Sequence, residues 1–323
     1  MSRPYPLHAL AALTCLLACA VAMPVQAAPD RDGAVRVFET ADTLCERDGG
    51  ALWGESLCGP ILVVDPADRA VIANRQDPGG VLVEQERVFV GTLPETAILA
   101  NTRVEWSGSD WTQLLWPVPQ ESSLLRVLLM HEMFHRIQPT LGLTRKEAGN
   151  RHLDTRDGRY LLQLEWRALA RAVLAVDADV RRAHVGDALA FRAERRRLFA
   201  DAAAEEAALD INEGIAEYTG VRLGLARDEE RRAFAVFDLA RSIGAPSFVR
   251  SFAYASGPAY GLLLDDADPM WRSRLGADAD LGTLLAQALR IDVASLADLD
   301  ARQRRYDADG SLRCDGERGD APR

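Results

Sequence analysis

Histidine is scarce in this sequence, five in 323 residues, and cysteine is as rare. Aromatic residues make up only 7%. Basic residues are outnumbered, 38 Lys and Arg against 48 Asp and Glu, for a net charge of −10. A surface of that sign repels a phosphate backbone, so no nucleic-acid partner is expected. Beyond the N-terminus no apolar run reaches the roughly 18–20 residues that a membrane helix needs, so no transmembrane span is expected in the mature chain. There is no internal repeat. What is present is ordinary for a globular chain: 48% hydrophobic and 27% charged residues, which excludes wholesale disorder and collagen-like repetition. The length allows one large or two modest domains.

Residues 1–27 read as a secretory signal peptide. Arg3 supplies the positive start, Ala9 to Met23 is small and apolar apart from Thr14, and Val25-Gln26-Ala27 gives a small-x-small cleavage pattern. The expected location is periplasmic or secreted, with lipoprotein anchoring at Cys19 as a variant. Cleavage removes Arg3, His8, Cys15 and Cys19, leaving four histidines, three cysteines and a net charge of −11. In an oxidising compartment Cys45 and Cys58 could close a loop around Asp48-Gly49-Gly50, the alternative being free thiols at Cys45, Cys58 and Cys314. The spacings fit neither a zinc knuckle nor a CxxC pair.

Two textures follow. From 28 to 118 short apolar segments alternate with turn residues: Val35–Phe38, Ile61–Val64, Val81–Val83, Val88–Val90 and Ala97–Trp106 read as strands, with turns at Asp77-Pro78-Gly79-Gly80 and Gly108-Ser109-Asp110. Trp106, Trp111 and Trp116 read as packing residues or one wall of a cleft. From 119 to 306 the chain is rich in Ala, Leu, Arg and Glu. The expected helices are 122–138, 158–176, 187–203, 205–223, 228–242 and 281–290, punctuated by Pro139, Gly186, Gly224 and Gly244-Ala245-Pro246. Residues 307–323 read as a polar, disordered tail, with a plain turn at Asp307-Ala308-Asp309-Gly310 rather than a calcium loop. A β-rich part followed by a helical part is an α+β arrangement.

The scarce histidines are not scattered. Met130-His131-Glu132-Met133-Phe134-His135 sets HExxH inside the 122–138 helix. At 3.6 residues per turn His131 and His135 share a face, where two imidazoles can bind one ion. Glu132 sits beside them. Two neutral imidazoles, one carboxylate and an open fourth position suit zinc, one ion per chain. No Gly-x-x-His follows, which excludes a metzincin, and His152 has no ligand spacing. Downstream, Asn212-Glu213-Gly214-Ile215-Ala216-Glu217-Tyr218-Thr219-Gly220 places Glu213 and Glu217 one helical turn apart. One carboxylate could complete the site and the other could accept the N–H of a liganding histidine. A solvated acidic face with Glu205, Glu206 and Asp210 is the competing reading.

Together the two segments resemble the gluzincin metallopeptidases, the superfamily of thermolysin and the aminopeptidase N-like enzymes. There, HExxH on one helix is completed by a Glu from a later helix, in an Asn-Glu motif similar to the one here. The resemblance covers about residues 122–140 and 205–264. It implies a zincin-like helical region, Glu213 as third zinc ligand, and Glu217 as acceptor for a liganding histidine. The 77 residues between His135 and Glu213 depart from the short link of the nearest families and imply an inserted helical pair, about 150–203, that shapes the cleft. Tyr254-Ala255-Ser256-Gly257 looks like the Tyr-x-x-Gly turn of the aminopeptidase-like branch, which implies an oxyanion donor at Tyr254, with Tyr260 competing. The implied activity is hydrolysis of peptide or protein amide bonds with zinc-activated water and Glu132 as general base. A zinc-containing envelope protein without turnover is the alternative, and a metal-free helical module a third.

Overall fold

A computed structural model describes residues 30–143 and 149–312. The signal peptide 1–27, Cys15, Cys19, Cys314 and the tail from 313 lie outside the described residues. The first described element corrects a strand expectation. Val35–Phe38 lies inside helix α1, Arg31–Asp48, whose Asp30 side chain accepts from the Gly33 amide. Ala34, Val37, Phe38, Ala41, Leu44 and Cys45 are all buried. Their spacing of three and four residues makes one apolar helix stripe, which outweighs the local β-branched character of Val35 and Val37.

Cys45, in the last turn of α1, is disulfide-bonded to Cys58, with Cα atoms 5.2 Å apart. The bridge fixes the helix end beside β1, Ile61–Val64. The other strands are β2 (Ala70–Ala73), β3 (Val83–Gln85), β4 (Val88–Thr92), β5 (Thr102–Trp106) and β6 (Ser109–Leu115). They form one mixed sheet in the order β3-β4-β2-β1-β6-β5, antiparallel except for β1 with β6. β5 starts five residues after Ala97, the expected first residue of its strand. Its hairpin with β6 turns at Ser107-Gly108, where φ is 49° and 80°. Two left-handed residues make the tight turn that matches strand twist, one step before the expected turn.

All four β1 residues are buried because both faces of the sheet are covered. Ile61 and Val63 join the main core with Leu114 and the helices. Leu62 and Val64 face a smaller core with Val104 and Trp111. Trp111 is fully buried there and its indole N–H donates to the Trp106 carbonyl.

The helical part begins with α2, Ser122–Ile137, capped by the Glu121 carboxylate and packed beneath β5 and β6. α3 (Arg156–Leu174) and α4 (Ala178–Leu198) pair as a hairpin. α4 starts nine residues before the expected 187 because Asp177 caps it and Gly186 does not interrupt it. The expected helix 205–223 is α5 (Ala202–Leu209), a wide π-turn at Asp210–Gly214, and α6 (Ile215–Gly224). α7 is Asp228–Ser242, as expected. α8, Ser251–Ala267, corrects the turn expected at Tyr254–Gly257: the helix runs through it and through Pro258. α9 (Leu281–Ala288) and α10 (Leu299–Tyr306) close the chain. Asp307 and Leu312 are buried, so the expected tail is packed as far as Leu312, while Gly310 makes the expected turn back to Asp307. The result is a mixed α/β protein in which one hydrophobic core runs from Ala34 to Leu312. Among the described residues no helix is long and apolar enough to cross a membrane.

Closing a short loop with a disulfide typically adds about 2–4 kcal/mol, chiefly by restricting the unfolded chain. Replacing Cys45 and Cys58 together by Ser should lower the unfolding free energy by about that amount in a urea titration. An unchanged midpoint and slope would show that the bridge adds nothing.

Candidate functional site

α2 carries His131 and His135 on one face, ring centroids 4.8 Å apart. α6 lies against that face at a distance that allows no side chain between them: a Cβ on Gly220 would sit 2.6 Å from the Val127 carbonyl oxygen. This approach brings Glu217 Oε2 to 2.6 Å from His131 Nδ1. His135 Nδ1 is 2.9 Å from Gln138 Oε1, and the Gln138 amide donates to the carbonyls of Ile211 and Asn212. With both Nδ1 atoms donating to oxygen, both Nε2 atoms present lone pairs in the neutral tautomer.

Those lone pairs converge with Glu213. His131 Nε2 and His135 Nε2 are 3.1 Å apart, and Glu213 Oε2 is 3.6 and 3.4 Å from them. Ligand bonds of about 2.0–2.2 Å at near-tetrahedral angles separate donor atoms by roughly 3.3–3.5 Å. The three donors therefore stand at the spacing of one small divalent ion. Among the described residues this is the one group of three His, Cys, Asp or Glu side chains so placed. The donor set is not unique to zinc, since imidazole and carboxylate also serve other transition ions.

The wide turn at Asp210–Gly214 sets Glu213. α8 seats directly on it, because a Cβ on Gly257 would overlap the Gly214 backbone. Glu213 Oε1 accepts from Asn212 Nδ2 at 2.8 Å and from Arg250 Nη2 at 3.0 Å. Its Oε2 accepts from the Tyr254 hydroxyl at 2.6 Å, and the Tyr254 ring stacks on His131. Glu132 is buried beside the cluster, Oε1 4.0 Å from His131 Nε2, and its Oε2 has no hydrogen-bond partner among the described residues.

Electrostatics follow from three carboxylates around two imidazoles. Burial alone would lower the His131 pKa, but contacts with Glu213 and Glu217 override it and push it up to about 10. Burial works against the Glu213 carboxylate, yet both histidines and Tyr254 hold it well below the usual range. Glu132 is raised, by burial first, with the two histidines opposing. Tyr254 is raised by burial and by Glu213. The centre is a buried, anion-rich pocket that a cation would complement.

Other expected residues lie elsewhere. Tyr260 is fully buried and donates to Glu165 at 2.7 Å, so it is not at the cluster. His152 is buried, with Nε2 2.9 Å from Glu206 Oε1. Glu206 and Asp210 are not a solvated face: both are fully buried, paired with Arg195 and Arg192 of α4. The helical pair α3 and α4 contributes no wall to the cleft of about 420 Å³ at the cluster. It reaches the site indirectly, since Arg192 grips the first residue of the π-turn. None of the three expected packing tryptophans lines this cleft. Gln138 and Arg250 were not anticipated. Gln138, three residues after His135 on the same helix, carried a readable spacing; Arg250 carried none. In comparisons with protein-family models, curated proteins and solved structures, nothing matches the chain.

Two outcomes follow. Gln138→Ala should weaken metal binding by about 10- to 100-fold in a chelator competition while circular dichroism stays unchanged, because the His135 ring loses its orienting partner. In metal-stripped protein the His131 contribution to stability is complete below about pH 6.5 and is lost as pH rises through about 10. Urea midpoints in chelator should fall across that window, and His131→Asn should flatten the fall.

Proposed function

We propose that this chain is a zincin-like, zinc-dependent peptidase of the secreted or periplasmic type. The observation that carries the reading is the convergence of His131 Nε2, His135 Nε2 and Glu213 Oε2 at one ion's spacing, beside a Glu132 oxygen that has no hydrogen-bond partner among the described residues and lines the cleft. The disulfide Cys45–Cys58 is compatible with an oxidising compartment.

His131, His135 and Glu213 would hold the zinc, which when bound supplies Lewis acidity toward water and a substrate carbonyl. Glu132 accepts the proton of the attacking water and returns it to the leaving amine nitrogen. Its raised pKa, caused first by burial, moves it toward the range where a carboxyl group exchanges protons efficiently. Glu217 and Gln138 keep the imidazoles oriented. The Tyr254 hydroxyl, directed at Glu213 Oε2 here and on the wall of the cleft, would donate to the reacting carbonyl oxygen once it turns toward substrate. Edge strand β5 pairs on one side only, and its Thr102 and Arg103 line the cleft. An extended peptide can add to such an edge through main-chain hydrogen bonds.

The Tyr254–Glu213 contact also suits a second reading, a zinc-containing envelope protein without turnover, because it occupies the hydroxyl with the metal ligand rather than leaving it free for a substrate. Activity separates the two. Purified protein should contain close to one zinc per chain and cleave a peptide mixture in a chelator-sensitive way. Glu132→Gln should keep the zinc and lose at least about 1,000-fold in kcat. Zinc retained with no cleavage by the wild type would select the second reading. Glu213→Ala should abolish tight zinc; unchanged zinc content there would overturn the ligand assignment.

A further inference from the structure

We infer that the cleft selects peptides bearing a carboxylate on one side of the scissile bond and an apolar side chain on the other. The inference rests on the peptidase reading above and extends it to substrate class. Two cavities, of about 420 and 580 Å³, meet at the cluster and share Asn101, His131, Glu132 and Tyr254 as walls. The reacting bond would therefore lie between two arms, one richer in polar walls and the other richer in apolar ones.

The second arm is walled mainly by apolar residues, Leu124, Leu128 and Phe234 among them, with Glu217 and Arg241 also on its walls and Arg241 paired with Asp238 at 2.6 Å. Leu124 is 40% exposed at its rim, and Phe237, on the same helix as Phe234, is 54% exposed. Apolar surface left open beside a catalytic cluster favours an apolar side chain of the substrate.

The first arm carries two guanidinium groups. Arg103 and Arg250 line it, and the acidic residues on its walls are Glu132 and Glu213, both already part of the centre. Arg250 directs one N–H to Glu213, while its side chain remains 56% exposed. Arg103 donates to Asp110 at 2.5 Å and lies 4.0 Å from Glu105, with about a third of its side chain exposed. Arg103 touches none of the proposed zinc ligands. Guanidinium groups present N–H donors in the fork that a carboxylate accepts. The carboxylate can belong to an acidic side chain or to the peptide's own C-terminus.

Four matched peptides test the inference on the zinc-loaded wild type. They share one large apolar residue and differ in Asp against Asn, and in a free against an amidated C-terminus. Acid-bearing peptides should show a KM about 10- to 100-fold below their neutral partners, the size expected of a charge-assisted hydrogen bond. Dependence on Asp identifies a side-chain carboxylate, and dependence on the free terminus identifies a chain end. Arg103→Gln should bring the acid-to-neutral ratio close to one, with Arg103→Lys retaining part of it. Phe234→Ala should raise KM for peptides with a large apolar residue. Equal KM for acidic and neutral peptides, or a ratio that survives Arg103→Gln, would overturn the inference. If no peptide is cut, the peptidase reading fails, and affinities of the same four peptides for the Glu132→Gln protein judge the cleft's selectivity separately.

Discussion

The backbone of α6 lies directly on α2 because Gly220 offers only hydrogen where any other residue would strike the Val127 carbonyl. That contact sets the depth at which Glu217 meets His131 and the height at which Glu213 arrives beside both imidazoles. A second close approach, Gly257 of α8 on Gly214, closes the other side and delivers Tyr254 and Arg250 to the same carboxylate. The centre is thus clamped between three helices whose spacing is fixed by missing side chains. An added methyl group at either contact would displace donors that must agree to within a few tenths of an ångström.

Support for this arrangement is unusually polar. Arg192 and Arg195 are buried with Glu165, Glu206 and Asp210 behind the π-turn. Desolvating so many charges is costly unless each is paired, and removing one partner from such a set typically costs about 3–5 kcal/mol. The network adds little net stability over an apolar core, but its directional bonds define where the turn sits. The long segment between the two motifs is therefore the scaffold for Glu213 rather than a wall of the cleft.

Legibility in the sequence followed the range of the physics. The pairing of His131 and His135 was readable because helical periodicity alone places them together; the spacing of Glu213 and Glu217 pointed to two carboxylates but not to which meets the Nε2 atoms, because the π-turn that sets Glu213 carries no local signal. Helix α7 and strand β1 were readable from local composition. α1 was not: Val35 and Val37 have strand propensity, and only the longer stripe from Ala34 to Cys45 reveals the helix. The Tyr-x-x-Gly pattern favoured Tyr254 but left Tyr260 as a competitor, because their difference is tertiary, one facing Glu213 and the other facing Glu165. Arg250 has no sequence signal, since its role exists only once α8 is laid on the π-turn. The buried state of Glu206 and Asp210 was hidden for the same reason, their arginine partners lying on a separate helix.

The wide turn at Asp210–Gly214 has a further consequence for how this chain tolerates change. A π-turn holds one residue more than the α-helix it interrupts, and each residue advances a helix by about 100°. Asp210, facing Arg192, and Glu217, facing His131, stand on opposite ends of that extra residue. Deleting a single residue within the turn would restore a regular helix and rotate one end away from its partner, so that either the arginine anchor or the imidazole contact is forfeited. The length of this segment is therefore quantised.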